Sequence, residues 1–269
     1  MNMLYYAIAD LHGRFDLLKE AVNAIEKHSS NSSDTRVITL GDYIDRGPQS
    51  KEIIEYLMAR GSNWTCLQGN HEAMMVDTIR KPLNPDWWLG NGGNTTVKSY
   101  GGSVKMSNHY GFPPIGYDPH VIPPEHVNWI AELPLYYETE HHVFVHAGCP
   151  LSNKASAPSL EEQAKVKNSY GEYDMQWMLY GRNDGGWHGD KHVVHGHHQF
   201  ADGPHEWSGR TDLDTYAWRY GRLVVGVFSS EVPGKAIDYL EILGDDYEGT
   251  QDKRVQRPAL DRPDLVPAE

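Results

Sequence analysis

At 269 residues the chain is long enough for one large domain with its own core or two small ones, and 39% hydrophobic with 11% aromatic residues argues against disorder throughout. A formal net charge of -13 works against nucleic acid or an anionic membrane as partner, since phosphate backbones are gripped by clustered Lys and Arg; an anionic small ligand remains open where metal ions supply the positive charge. Only two cysteines occur, Cys66 and Cys149, with no CxxC pair, which speaks against a disulfide framework or thiolate zinc site and makes a reducing cytoplasm the expected compartment.

The N-terminal stretch MNMLYYAIADLHG shows no basic leader ahead of a long apolar core, no window approaches a membrane span, and the sequons at Asn31, Asn63 and Asn94 read as chance matches. LYYAIAD predicts a buried strand. RFDLLKEAVNAIEKHSS then carries Leu17, Leu18, Ala21, Val22 and Ile25 at helical spacing. The unit repeats: RVITLGD as strand, SKEIIEYLMARG as a helix stopping at Gly61, WTCLQGN as strand, HEAMMVDTIRK as helix. Such βαβαβ alternation implies right-handed crossovers and a parallel core.

From about 82 to 124 the chain turns rich in Trp, Gly, Asn, Tyr and Pro, which reads as an inserted cap in a single domain of residues 1–245. Strand-like runs return at HHVFVHAG, KHVVHGH, GRLVVGVF and AIDYLEIL, with one helix expected around SLEEQAKVKNSYGEY. Residues 246–269 are polar and contain prolines, as in a loosely held tail.

The strands share a signature at their ends. Asp10, Asp42 and Asn70 close the first three, and His146 and His197 close two later ones, with His12 just beyond Asp10. Ligands of open α/β sheets bind outside the carboxyl ends of strands, so these side chains can converge on one edge. An Asp after a strand is often only a turn former and a lone His only a satisfied core residue, but turn chemistry does not explain five strands ending this way. All six are oxygen or nitrogen donors, a set that suits Mn, Zn or Fe(II).

In order, DLHGR at 10 to 14, GDYIDRG at 41 to 47, GNHE at 69 to 72, HAG at 146 to 148 and HGHH at 195 to 198 resemble the motifs of metallophosphoesterases, most closely the PPP-type serine/threonine phosphatases of the compact bacterial and bacteriophage branch. The resemblance runs from about residue 4 to 228, with Ala9 where that family usually has Gly. It implies two mixed sheets packed as a ββ sandwich flanked by helices, with the cap inserted. It also implies two divalent metals, Mn2+ first with Fe or Zn as alternatives: one held by Asp10, His12 and Asp42, the other by Asp42, Asn70, His146 and His197. Asp42 would bridge, and a metal-bridging hydroxide would attack the phosphorus directly.

The same resemblance makes His71 the general acid with Asp45 as its carboxylate partner, and makes Arg46, Asn70 and, by a softer match in MQWMLYGRNDGG, Arg182 contacts to substrate. Arg46 suits that task because its planar fork pairs with two phosphate oxygens. Asp214 is given no catalytic role, because Tyr216 stands where the family usually has Gly. For His141, His142, His188, His192 and His198 a satisfied or exposed side chain is the better reading; His195, in HGH, is the exception that can approach a metal. Arg14 reads as a solvated helix start, and Trp87 and Trp88 as packing of the cap with a substrate wall as the alternative.

The activity implied is hydrolysis of phosphomonoesters, phosphoserine or phosphothreonine proteins and peptides first. Symmetrical dinucleoside polyphosphate hydrolases share the ligands but typically carry Ala for Asp45 and Asp for Glu72. A cyclic-nucleotide phosphodiesterase and a metal-binding scaffold without turnover are weaker alternatives.

Overall fold

Strand β1 (Met3–Ile8) has no polar face because both of its faces are covered, as in the sheets of layered α/β proteins. Its Tyr6 and Ile8 pack with helices, while Tyr5 and Ala7 pack against a second sheet. This computed structural model describes residues 3–30, 34–81, 85–105, 116–150, 157–181 and 184–248.

Helix α1 (Phe15–Ser29) buries Leu17, Leu18, Ala21, Val22 and Ile25, the stripe its spacing predicts. β2 (Asp34–Thr39), α2 (Ser50–Met58), β3 (Trp64–Cys66) and α3 (Asn70–Arg80) follow. α2 closes at Ala59, two residues before the glycine expected to stop it. Two short helices, α4 (Asp86–Trp88) and α5 (Asn94–Ser99), are joined by a wide turn at Leu89–Gly93. Trp88, Leu89 and Val97 are buried in the same core as α1 and α2. A small hairpin pairs β4 (Val104–Lys105) with β5 (Gly116–Tyr117), and α6 (Pro124–Ala131) returns the chain to the sheets.

The second half supplies β6 (Tyr136–Glu138), β7 (His142–Val145), α7 (Leu160–Gln163), α8 (Asp174–Trp177), β8 (His192–His195), β9 (His205–Trp207), β10 (Arg210–Asp212), α9 (Ala217–Tyr220), β11 (Arg222–Ser229) and β12 (Asp238–Leu243). The helix expected over SLEEQAKVKNSYGEY is a single turn. Ser159 caps it by accepting from Glu162 N, but Asn168 then draws the backbone into a turn by accepting from the N–H groups of Tyr170 and Glu172.

The strands form two five-stranded mixed sheets, ordered β12-β11-β1-β2-β3 and β6-β7-β8-β10-β9. β1, β2 and β3 are parallel, as are β7, β8 and β10, and antiparallel strands flank both sets. Ile38, Leu40 and Phe228 of the first sheet meet Phe144, Val194 and Leu213 of the second between the layers, each side chain adding about 1.5–3 kcal/mol by leaving water. Val143, Val145 and Val193 face the other way, toward Leu160 and Met175. The architecture is the helix-flanked pair of mixed sheets expected from the motifs.

Of the expected tail, Asp246 accepts from the Arg14 guanidinium at 2.7 Å, while 249–269 lie outside the described residues. Arg14 is therefore not a solvated helix start. It is buried, bound also to Asp16 at 2.7 Å and to the Ala217 carbonyl at 3.2 Å.

Candidate metal centre and acid

The loops after β1 and β2 are laced together. His12 N donates to Asp42 O and Gly13 N to Tyr43 O, each at 2.8 Å, and Gly47 N to His12 O at 3.1 Å. A Cβ on Gly13 would lie 2.5 Å from the Gly47 carbonyl carbon, and Gly13 sits at φ +70, so glycine is required there on both counts. Glu72 fixes the third loop. Its carboxylate accepts from the N–H groups of Asp42 (2.8 Å), Tyr43 (2.9 Å), Gly69 (3.0 Å) and Ile44 (3.3 Å), tying the start of α3 to the loop after β2.

Asp10, His12, Asp42, Asp45, Arg46 and His197 all adopt positive φ, a conformation unfavourable for L-residues, and hold it where the strand-end loops meet. Two triads of ligand atoms result, each mutually within 4.8 Å: His12, Asp42 and His71, and Asp42, His146 and His197. Asp42 belongs to both, in the position of a bridge. Asp10 lies outside both triads but adjoins them, its Oδ2 accepting from His197 N at 3.0 Å. His71 stands in the first triad, where Asp10 is expected.

The hydrogens of the donor set decide whether it suits cations. His12 Nδ1 meets the Ile44 carbonyl at 2.8 Å, His146 Nδ1 meets that of Leu40 at 2.9 Å, and His71 Nδ1 meets Asp45 Oδ2 at 2.7 Å. Carbonyls and carboxylates only accept, so each Nδ1 carries the proton and each Nε2 presents a lone pair. Three lone pairs and the Asp42 carboxylate thus converge, and Asp10 Oδ1 is buried with no hydrogen-bond partner among the described residues. Arg46 answers part of this demand, its guanidinium 3.0 Å from His12 Nε2 and 3.1 Å from His71 Nε2. Asn70 answers another. With its amide nitrogen turned inward it donates to His146 Nε2 at 2.9 Å and to both Asp42 oxygens at 3.2 and 3.3 Å; a cation there would take the carboxamide oxygen instead. The residues fit divalent cations.

Burial sets the protonation states. It pulls His12, His71 and His197 well below the usual imidazole range, with Arg46 and neighbouring histidines adding to the shift, and His146 down to about 4. Neutral rings are what ligation requires of His12, His146 and His197. Burial also pushes Asp10 well up, more so because Asp214 and Asp42 lie nearby, and lifts Asp42 to about 7 against the pull of Arg46. Carboxylates held together in a dry pocket favour any added positive charge.

His195 is not brought into either triad: its Nε2 faces Arg210 at 3.2 Å and its Nδ1 the Gly196 carbonyl at 2.9 Å. Arg182 lies outside the described residues. Trp88 packs in the core, as expected, and its indole N–H also donates to Asp45, 3.1 Å from each carboxylate oxygen. Thr96 and Ser50, which also surround Asp45, have no signal in the sequence, since nothing local links a threonine to an aspartate 51 residues earlier. Tyr216 holds φ +59, the conformation a glycine adopts freely, and its N–H donates to Asp214 at 2.8 Å; the other Asp214 oxygen is buried without a partner among the described residues.

Residues 3–230 match the Calcineurin-like phosphoesterase family, so the chain belongs to that family of phosphoric ester hydrolases. It is 30% identical over 87 residues to a zinc-dependent endopolyphosphatase of Saccharomyces cerevisiae, a match covering 32% of this chain and a quarter (25%) of that protein. Serine/threonine-protein phosphatase 1 of Salmonella typhimurium is 26% identical over 71% of this chain and 77% of its own length. A solved structure described as a candidate diadenosine tetraphosphatase superposes with a TM-score of 0.55 at 17% identity, over 91% of this chain and 95% of that one, which shows a shared fold.

Proposed function

We propose that the protein is a two-metal phosphatase that hydrolyses phosphomonoesters, with phosphoserine and phosphothreonine in proteins or peptides as the leading substrates. The observation that carries this reading is the His71 arrangement: Nδ1–H donates to Asp45 at 2.7 Å while Nε2 faces the Arg46 guanidinium at 3.1 Å, beside the shared Asp42. Asp10, His12, Asp42, Asn70, His146 and His197 are the ligands, and the first cation to test is Mn2+, with Fe and Zn next. Bound metal supplies positive charge and an activated water at neutral pH. Arg46 then takes two phosphate oxygens and fixes the ester for in-line displacement. His71, held at Nδ1 by Asp45, takes a proton on Nε2 when phosphate draws the Arg46 guanidinium away from that atom, and gives it to the leaving oxygen. Two free buried cysteines, and no helix among the described residues long and apolar enough to cross a membrane, support a cytoplasmic setting.

A second reading, symmetrical cleavage of diadenosine tetraphosphate, is favoured by the fold shared with the candidate tetraphosphatase along most of both chains. Asp45 and Glu72 favour the first. The protein should be stripped of metal, restored with Mn2+, and assayed on a phosphoserine peptide and diadenosine tetraphosphate side by side. Metal-dependent release of phosphate, faster from the peptide, supports the phosphatase; faster splitting of the dinucleotide transfers the assignment to the second reading.

A further inference from the structure

Asp45 is fully buried, and a carboxylate in that position requires donors on both oxygens. Besides His71, the side-chain donors to it among the described residues come from the segment spanning α4 and α5. The Thr96 hydroxyl donates to Oδ1 at 2.6 Å and accepts from Asp45 N at 2.8 Å, so one side chain grips both backbone and carboxylate. Ser50 lies 3.0 Å from that hydroxyl and accepts from the same N–H at 3.1 Å. The Trp88 indole N–H spans the two oxygens at 3.1 Å each. The same segment touches Arg46, whose N–H donates to the Gly92 carbonyl at 3.3 Å. A Cβ on Gly92 would come within 2.8 Å of Arg46 N, so the approach depends on glycine.

We propose that Trp88 and Thr96 are positioning residues for the acid: by donating to Asp45 they fix its carboxyl group in the direction of His71 Nδ1, so that the ring is held with Nε2 pointing at the leaving oxygen. The inference rests on His71 being the acid. Without these donors the Asp45 carboxyl group loses its fixed direction, and the His71 ring it holds loses its orientation. The segment expected only to cap the domain thus completes the chemistry from below.

The test exploits leaving groups. A 4-nitrophenolate departs with little help from an acid, whereas the alkoxide of phosphoserine needs a proton. In the Mn2+-loaded enzyme, Thr96→Val and Trp88→Phe should each raise the ratio of kcat on 4-nitrophenyl phosphate to kcat on a phosphoserine peptide about tenfold, as expected for one hydrogen bond to a charged group. Thr96→Ser should restore the ratio. Bound Mn2+ should remain at the wild-type level. Equal losses on both substrates, or an unchanged ratio in a folded and metal-replete variant, overturn the proposal. Should Trp88→Phe fail to fold, Thr96→Val and its serine rescue decide. A second readout needs no turnover: the His71 Nδ1–H proton resonance of the metal-free protein should move in Thr96→Val, and an unmoved resonance counts against the brace. His71→Asn separates the two levels, because a ratio unchanged in that variant removes the acid itself.

Discussion

The parallel strands β7 and β8 each begin with a histidine and are followed closely by another, and the two ends behave differently. At the start, His142 and His192 are paired in register with ring centroids 6.4 Å apart; beyond the far end, His146 and His197 lie 5.0 Å apart. Burial lowers His142, His192 and His146 alike, each to about 4. Depressed basicity therefore does not mark the site. His142 Nε2 meets the Gly234 carbonyl at 3.0 Å and His192 Nε2 meets the Thr211 hydroxyl at 2.8 Å, so the partners of these Nε2 atoms are neutral. At the other end a carbonyl takes Nδ1 of His146 and leaves Nε2 facing Asp42 at 3.4 Å. One shared carboxylate makes the difference.

The contrast breaks most completely at that carboxylate. Asp42→Asn should lower turnover by roughly 10^4-fold or more and reduce bound Mn2+, measured by elemental analysis; a metal content equal to wild type would remove the bridge. His71→Asn should keep its metal yet lose roughly 10^3-fold on the phosphoserine peptide, read from kcat under saturating substrate. Arg46→Ala should also keep metal and fall roughly 10^2-fold in kcat/KM, since orientation and charge at phosphate are lost.

The smallest effect belongs to the other end of the strands. His142 and His192 bind protons more readily unfolded than folded, so they favour the fold fully above about pH 6.5 and lose that contribution as pH falls toward 4, amounting to about 1–3 kcal/mol each. Urea midpoints of metal-free protein at pH 7 and pH 5 should show the loss, and a His142→Phe, His192→Phe variant should show a flatter pH dependence. A slope identical to wild type would locate the acid sensitivity elsewhere.

Much of the site was legible because strand ends are local features. The run from Val37 through Leu40 to Asp42 announces a buried strand followed by a polar turn, and the parallel order of the strands carries such turns to one edge. What stayed hidden depends on distance through the fold. Arg14 is buried because Asp246 and the Ala217 carbonyl reach it, and nothing around DLHGR reveals either partner. Trp88 and Thr96 read as cap residues for the same reason. The shortened helix at Leu160–Gln163 has a local cause, since the Asn168 side chain competed with the helix for backbone N–H groups, and turn chemistry outweighed spacing.

Six chemistry-bearing residues held at positive φ, among them Asp42 and Arg46, have a consequence for transplantation. The segment GDYIDRG, cut out and placed on another scaffold, would relax to right-handed or extended backbone and turn its carboxylates and guanidinium in new directions. The reactive group is therefore a property of the assembled sandwich, with its Glu72 clamp and its Gly13 contact with Gly47, and a minimal mimic would have to reproduce those backbone supports before any of the side chains mattered.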